Sequence, residues 1–163
     1  MRRFVDLTAK SNCAEAPGDR IESVQNTWTK ALRTDHGPQR DALICQLAET
    51  VDELAMLYPN DSKTQLWRGI VLCGYAKTVG GLVCLKLLQT AKTSFEKAIA
   101  LNPKNGPAHL YLGLLYQRAP EAPFGFGDET RARALLEQGL ALTLSGTNAA
   151  QATQGGGLSS KAL

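Results

Sequence analysis

No run of apolar residues in this chain approaches the roughly eighteen that a bilayer span requires. The longest candidates, GIVLCGYA and GLVCLKLL, are short and separated, so a soluble protein is expected. The N-terminal stretch MRRFVDLTAKSNCAEAPGD opens with two arginines but lacks an apolar stretch of about seven residues, so no complete signal peptide is expected. Neither sign of charge dominates: eighteen Lys and Arg against fifteen Asp and Glu leave +3, scattered without a block of five or six. That balance argues against a dedicated nucleic-acid or membrane-surface protein. Cysteine is sparse, and the steps of 32, 28 and 11 residues between Cys13, Cys45, Cys73 and Cys84 match no zinc or redox spacing. Cys45, Cys73 and Cys84 sit among Leu, Ile and Val and read as core thiols, with a disulfide left open.

Catalytic chemistry is equally thin. His36 stands in a turn beside Gly37 and Pro38, and His109 in the first turn of a helix; both read as surface or groove residues rather than bases. Asp128 and Glu129 lack the alternating oxygen ligands of a calcium loop and read as helix-capping residues. GFGDET has neither the glycine spacing nor the Lys-Ser/Thr pair of a phosphate loop. A non-enzyme without metal or cofactor is expected.

What is present is helix. Apolar residues recur at three- and four-residue steps between Arg20 and Thr143, with no sustained strand-like alternation. A first helix is predicted over Arg20–Arg33, capped by Asp19 with Glu22 and striped by Ile21, Val24, Trp28 and Leu32. Pro38 opens a second, which Pro59 stops, with Leu43, Ile44, Leu47, Val51, Leu54 and Ala55 on one face. Ser62 and Gln65 form a capping box for a third, carrying Leu66, Trp67, Ile70, Val71 and Cys73 until the paired glycines of KTVGGL. A fourth, Cys84–Leu101, presents Leu88, Ala91, Phe95, Ala98 and Ile99; a fifth, Pro107–Arg118, is apolar nearly all round, as if sandwiched. After the loop APEAPFGFGDE, Asp128 caps a sixth with Ala132, Leu135, Leu136 and Leu140. This divides the chain into an extended or disordered N-terminus (1–18), one helical domain (19–144) and a polar, disordered tail (145–163).

The helices repeat. Laying YPNDSKTQLWRG over NPKNGPAHLYLG superposes Pro59 on Pro103, Gly69 on Gly113 and Trp67 on Tyr111, a period of 44 residues. Leu112, Gly113 and Tyr116 match the first-helix part, and Ala91, Phe95, Ala98 and Pro103 the second-helix part, of a pattern that resembles the tetratricopeptide repeat, whose unit is about 34 residues. The surplus of about ten falls at KTVGGLVCLK, and RAPEAPFGFGDE supplies a second enlargement, so both turns inside the pairs are expected to be enlarged. Ala132, Leu136 and Gly139 take the small, large and small places of the last second helix, with Leu144 where proline would stand. LWRGIVL, FEKAIALNP and APFGFGDETRARALLEQGLAL together look like a group of bacterial tetratricopeptide proteins similar to the T-component family associated with TRAP transporters, typically exported to the periplasm.

The resemblance implies an all-α, right-handed α-α superhelix of about six helices in three antiparallel pairs. The first helix of each pair would line a concave groove, which brings Leu66, Ile70, Cys73, Leu110, Leu114 and Gln117 toward it, with Arg118 and Lys63 at the margin. An apolar helix or extended segment with an acidic end would fit such a groove. Trp67 and Tyr111 read either as packing residues or as groove anchors. Phe124 and Phe126 either latch their loop onto the stack or meet another protein. Without further C-terminal helices, Leu135 or Leu140 would be uncovered and favour self-association. The implied function is a protein-interaction scaffold accessory to an exported complex; the alternative is a binder of a small apolar ligand. The relatives point to the periplasm, whereas the reduced-looking thiols fit a cytoplasm.

Overall fold

The computed structural model describes residues 17–154, with side chains described over 17–147. Six helices occupy nearly all of this span: α1 Pro17–Arg33, α2 Pro38–Leu57, α3 Ser62–Val79, α4 Gly81–Leu101, α5 Gly106–Arg118 and α6 Glu129–Gln154. Among the described residues none is long and apolar enough to cross a membrane.

The breaks follow backbone chemistry. Pro38 occupies the first turn of α2, where its missing N–H costs nothing. Asp61 caps α3 by accepting from the backbone N–H of Thr64 at 2.8 Å and from its hydroxyl at 2.7 Å. Asn105 caps α5 by accepting from Ala108 N–H at 3.2 Å. Asp61 and Asn105 each stand two residues beyond a proline, so the 44-residue period extends to the caps. Asp128 caps α6 through Arg131 N–H at 3.0 Å.

Several expectations are corrected. α1 starts at Pro17, so Asp19 lies within its first turn rather than before it. Ser62 is not the cap of α3: its hydroxyl donates to Ala98 O at 2.8 Å and accepts from Asn105 Nδ2 at 2.9 Å, bridging two inter-helix junctions. Gln65 reaches back to Pro59 O at 3.1 Å. The surplus residues at KTVGGLVCLK do not enlarge a turn. They lengthen α3 and α4, which a single residue separates, because Gly80 (φ +66°) and Gly81 (φ +61°) reverse the chain in left-handed conformations closed to most side chains. The turn between α5 and α6, in contrast, is long, with residues 119–128 lying between the two helices. α6 continues to Gln154, so residues 145–154, read as part of a disordered tail, are helical. Their sequence holds three alanines and no proline, which a helix tolerates well. Residues 155–163 and 1–16 lie outside the described part of the chain.

Consecutive helices run antiparallel. Arg68 on α3 meets Asp52 on α2 at 2.6 Å, and Tyr75 meets Cys45 at 3.9 Å, so one strand of contacts climbs while the other descends. α4 packs on α3 where Gly69 faces the ring of Phe95, a side chain with no exposed surface. α6 packs on α5 where Gly113 faces Leu136: a β-carbon there would lie 2.9 Å from Leu136 Cγ and 3.0 Å from Ala132 O. The 44-residue period superposes Gly69 on Gly113, and Phe95 and Leu136 take the large place of their respective second helices. The two pairs therefore use the same glycine-against-large-residue contact. Ala91, Ala98 and Ala132 are buried beside these contacts, and one core joins α1 to α6 through Val24, Val51, Val71, Phe95 and Tyr116. α1, α3 and α5 also touch in succession, Trp28 of α1 lying against Gly74 of α3.

Gly69→Val should destabilise the fold by about 1–3 kcal/mol, because the buried ring of Phe95 has nowhere to go. Gly18→Ala, at a position with open space, should be neutral or slightly stabilising. Urea denaturation monitored by circular dichroism compares the two.

Candidate functional site

A groove of about 690 Å³ opens where the turns α1→α2 and α3→α4 meet the C-terminal end of α5. Each wall has a local origin. Trp28, half-buried, reaches the groove from α1 because Gly74 leaves room for its ring. α3 contributes Ile70 and Cys73, and the first turns of α4 contribute Cys84 and Leu88. α5 contributes Tyr111, Leu114 and Arg118. Tyr111 is 40% exposed and Leu114 37% exposed, so α5 presents an open face instead of being sandwiched all round. Tyr111 is at the same time held in place by stacking on Phe95, with ring centroids 5.9 Å apart and planes 11° from parallel.

The floor is apolar and the margin cationic. Arg40, Lys77 and Arg118 border the groove against one carboxylate, Asp41. His36 is exposed on the same margin, its Nδ1 2.9 Å from Arg40 Nη1, and no carboxylate of the described residues orients it as a base. Burial pushes the Cys73 thiol up to about 11; Lys77 opposes this and Cys84 adds to it. The thiol is therefore protonated at neutral pH and is a poor nucleophile. Among the described residues, no three His, Cys, Asp or Glu side chains gather as metal ligands.

Of the residues expected to line a groove, Ile70, Cys73, Leu114 and Arg118 do so. Lys63, Leu66, Leu110 and Gln117 do not. Leu66 belongs to the core, Leu110 packs against Gly139 of α6, Gln117 faces solvent, and Lys63 is exposed in the first turn of α3, away from its C-terminal half. The cause is positional: the groove follows the middle and C-terminal turns of α3 and α5, while their first turns lie away from it. Trp67 packs on the core and does not reach the groove, so of the two aromatic candidates only Tyr111 does. Trp28, Arg40, Lys77 and Leu88 were not expected there; the near contact of Trp28 with Gly74 depends on a helix pairing that no local pattern encodes. His109 is buried, its Nδ1 2.9 Å from Asn105 O, where it supports the start of α5 rather than a surface or groove.

The α5–α6 loop divides the roles of its two phenylalanines. Phe126 packs edge-on to Tyr116, centroids 5.9 Å apart at 89°, and Lys92 stands 5.3 Å from its ring centre and 5.5 Å from that of Tyr116. Gly127 N–H donates to Pro120 O at 2.7 Å and Asp128 N–H to Tyr116 O at 3.2 Å. Phe124 is 82% exposed. The latch is thus Phe126 alone.

Neither a protein-family model nor a curated protein matches the chain.

Phe126→Ser should cost about 1–3 kcal/mol, since it removes a half-buried aromatic contact, whereas Phe124→Ser should leave stability within about 0.5 kcal/mol. Paired thermal melts of the two variants check the assignment.

Proposed function

We propose that the chain is a non-enzymatic interaction module of the tetratricopeptide type, whose groove receives a segment of another protein carrying apolar anchors and an acidic end. The observation that carries this reading is the pairing of an open apolar floor, Tyr111 and Leu114, with the cations Arg40, Lys77 and Arg118 at its edge. Exposed apolar surface rimmed by polar residues is what a docking site for an amphipathic segment requires. The repeated glycine contact of α3–α4 and α5–α6 supports the repeat reading. A role beside an exported, transport-related complex and a periplasmic address rest on the resemblance of the sequence alone. Exposed Leu140 and Leu144 on α6 support self-association as part of the same reading.

A small apolar ligand is the second reading, and the groove's volume favours it: about 690 Å³ lies within the range typical of small-molecule sites.

Peptide selection from a random display library on the full chain separates the two. Selected peptides should share apolar anchors followed by Asp or Glu, and Leu114→Lys should weaken them on the order of tenfold or more. Peptides indifferent to Leu114→Lys would contradict the groove assignment. A small molecule retained in native mass spectra, with no peptide selected, would favour the second reading.

A further inference from the structure

The long α3–α4 hairpin carries a feature that the groove does not use. From Ser62 to Phe95 there is no Asp or Glu, while Lys63, Arg68, Lys77, Lys86 and Lys92 lie in that span. Arg68 is matched by Asp52 and Lys92 by Glu96, but no carboxylate of the described residues pairs with Lys77 or Lys86. Between these two lysines the chain turns through Gly80 and Gly81 and immediately presents Leu82, 83% exposed, and Val83, 52% exposed, with Val79 also exposed. The aromatic contacts that tie α4 to α5 and its loop begin at Lys92. Leu82 is ten residues nearer the tip, about 15 Å along the helix axis, where α4 has outrun that support.

We propose that this tip docks on an anionic lipid surface, with Leu82 and Val83 entering the headgroup–acyl boundary and Lys77 and Lys86 meeting lipid phosphates. The shape and chemistry select this partner. Adjacent aliphatic side chains on a convex, projecting turn offer no pocket and no hydrogen-bonding pattern to a folded protein, but they enter a deformable apolar layer readily. Lysines flanking them lie at the depth of anionic headgroups, whose attraction falls off within a Debye length. Because the helices alternate in direction, the turns α1→α2 and α5→α6 lie at the same end of the bundle, and they bring exposed Leu32 and Phe124 with them. The acids of this end, Asp35, Asp41, Glu121, Asp128 and Glu129, sit on or beside those other two turns, which leaves the α3–α4 tip as the turn of this end without a carboxylate. Lys77 and Leu32 also border the groove, but Leu82, Val83 and Lys86 do not line it, so substitutions at these three positions test the tip without touching the groove.

Flotation of the full chain with vesicles of phosphatidylcholine, alone or mixed with phosphatidylglycerol, tests the proposal. The chain should float with the mixed vesicles, should remain below with neutral ones, and should be released by high salt. Leu82→Ser with Val83→Ser should weaken binding on the order of tenfold, and Lys86→Gln about fivefold. All three positions are exposed, so the circular dichroism of the variants should match the parent, and Leu114→Lys in the groove should bind vesicles as the parent does. Absence of flotation with anionic vesicles, equal flotation of the Leu82/Val83 variant, or retention on soluble polyglutamate without retention on vesicles would overturn it.

Discussion

The fold depends on how closely α3 and α4 approach at Gly69. A glycine there lets the fully buried ring of Phe95 lie against the backbone of the facing helix, and the same solution recurs where Gly113 meets Leu136. Close approach does two things at once. It brings Ala91 and Ala98 of α4, or Ala132 of α6, into contact range of the partner helix, and it fixes the spacing at which the next pair can stack. The caps Asp61 and Asn105 set the start of each first helix at the same place in the period, and Ser62, bonded to both Ala98 O and Asn105, joins the two periods at their seam.

The groove is a consequence of this stacking. Phe95 fills the centre of the stack, and its outer face supports Tyr111, so the same ring that closes the core also holds a groove residue rigid. Toward the turns, Gly74 admits Trp28, Cys73 and Leu88 pack at the edge of the core, and α3 and α4 carry Lys77 and Cys84 beyond it. The last turns of α3 and the first turns of α4 form both the groove wall and the exposed hairpin tip. Lengthening two paired helices adds surface without adding a partner to cover it, which is why apolar side chains such as Leu82 remain in water.

Much of this was legible in the sequence because it is local. Prolines and glycines mark the helix ends, the Pro59–Pro103 spacing marks the period, and Gly113 with Tyr116 marks the tight contact. What escaped is non-local or degenerate. Asp61 and Ser62 are adjacent residues that both suit a cap, and only the position of Thr64 decides between them. KTVGGLVCLK read as a turn because glycine pairs break helices, yet two left-handed glycines need so little chain that helix continues on both sides. Leu66 and Leu110 share helical faces with Ile70 and Leu114, yet only the latter pair borders the groove, although Ile70 is also part of the core; that difference lies in where the groove ends along the axis. Phe124 and Phe126 were indistinguishable by type, and Tyr116 on α5 together with Lys92, far away in sequence on α4, chose between them.

The most direct measurement of the central contact is a double-mutant cycle on Gly69→Ala and Phe95→Leu, followed by urea denaturation of the four proteins. If the glycine exists to admit the ring, the smaller leucine relieves the added methyl, and the pair couples by about 1 kcal/mol or more. Additivity within about 0.5 kcal/mol would mean that Gly69 and Phe95 do not set the spacing of these helices, and the account of the stack built on them would fail.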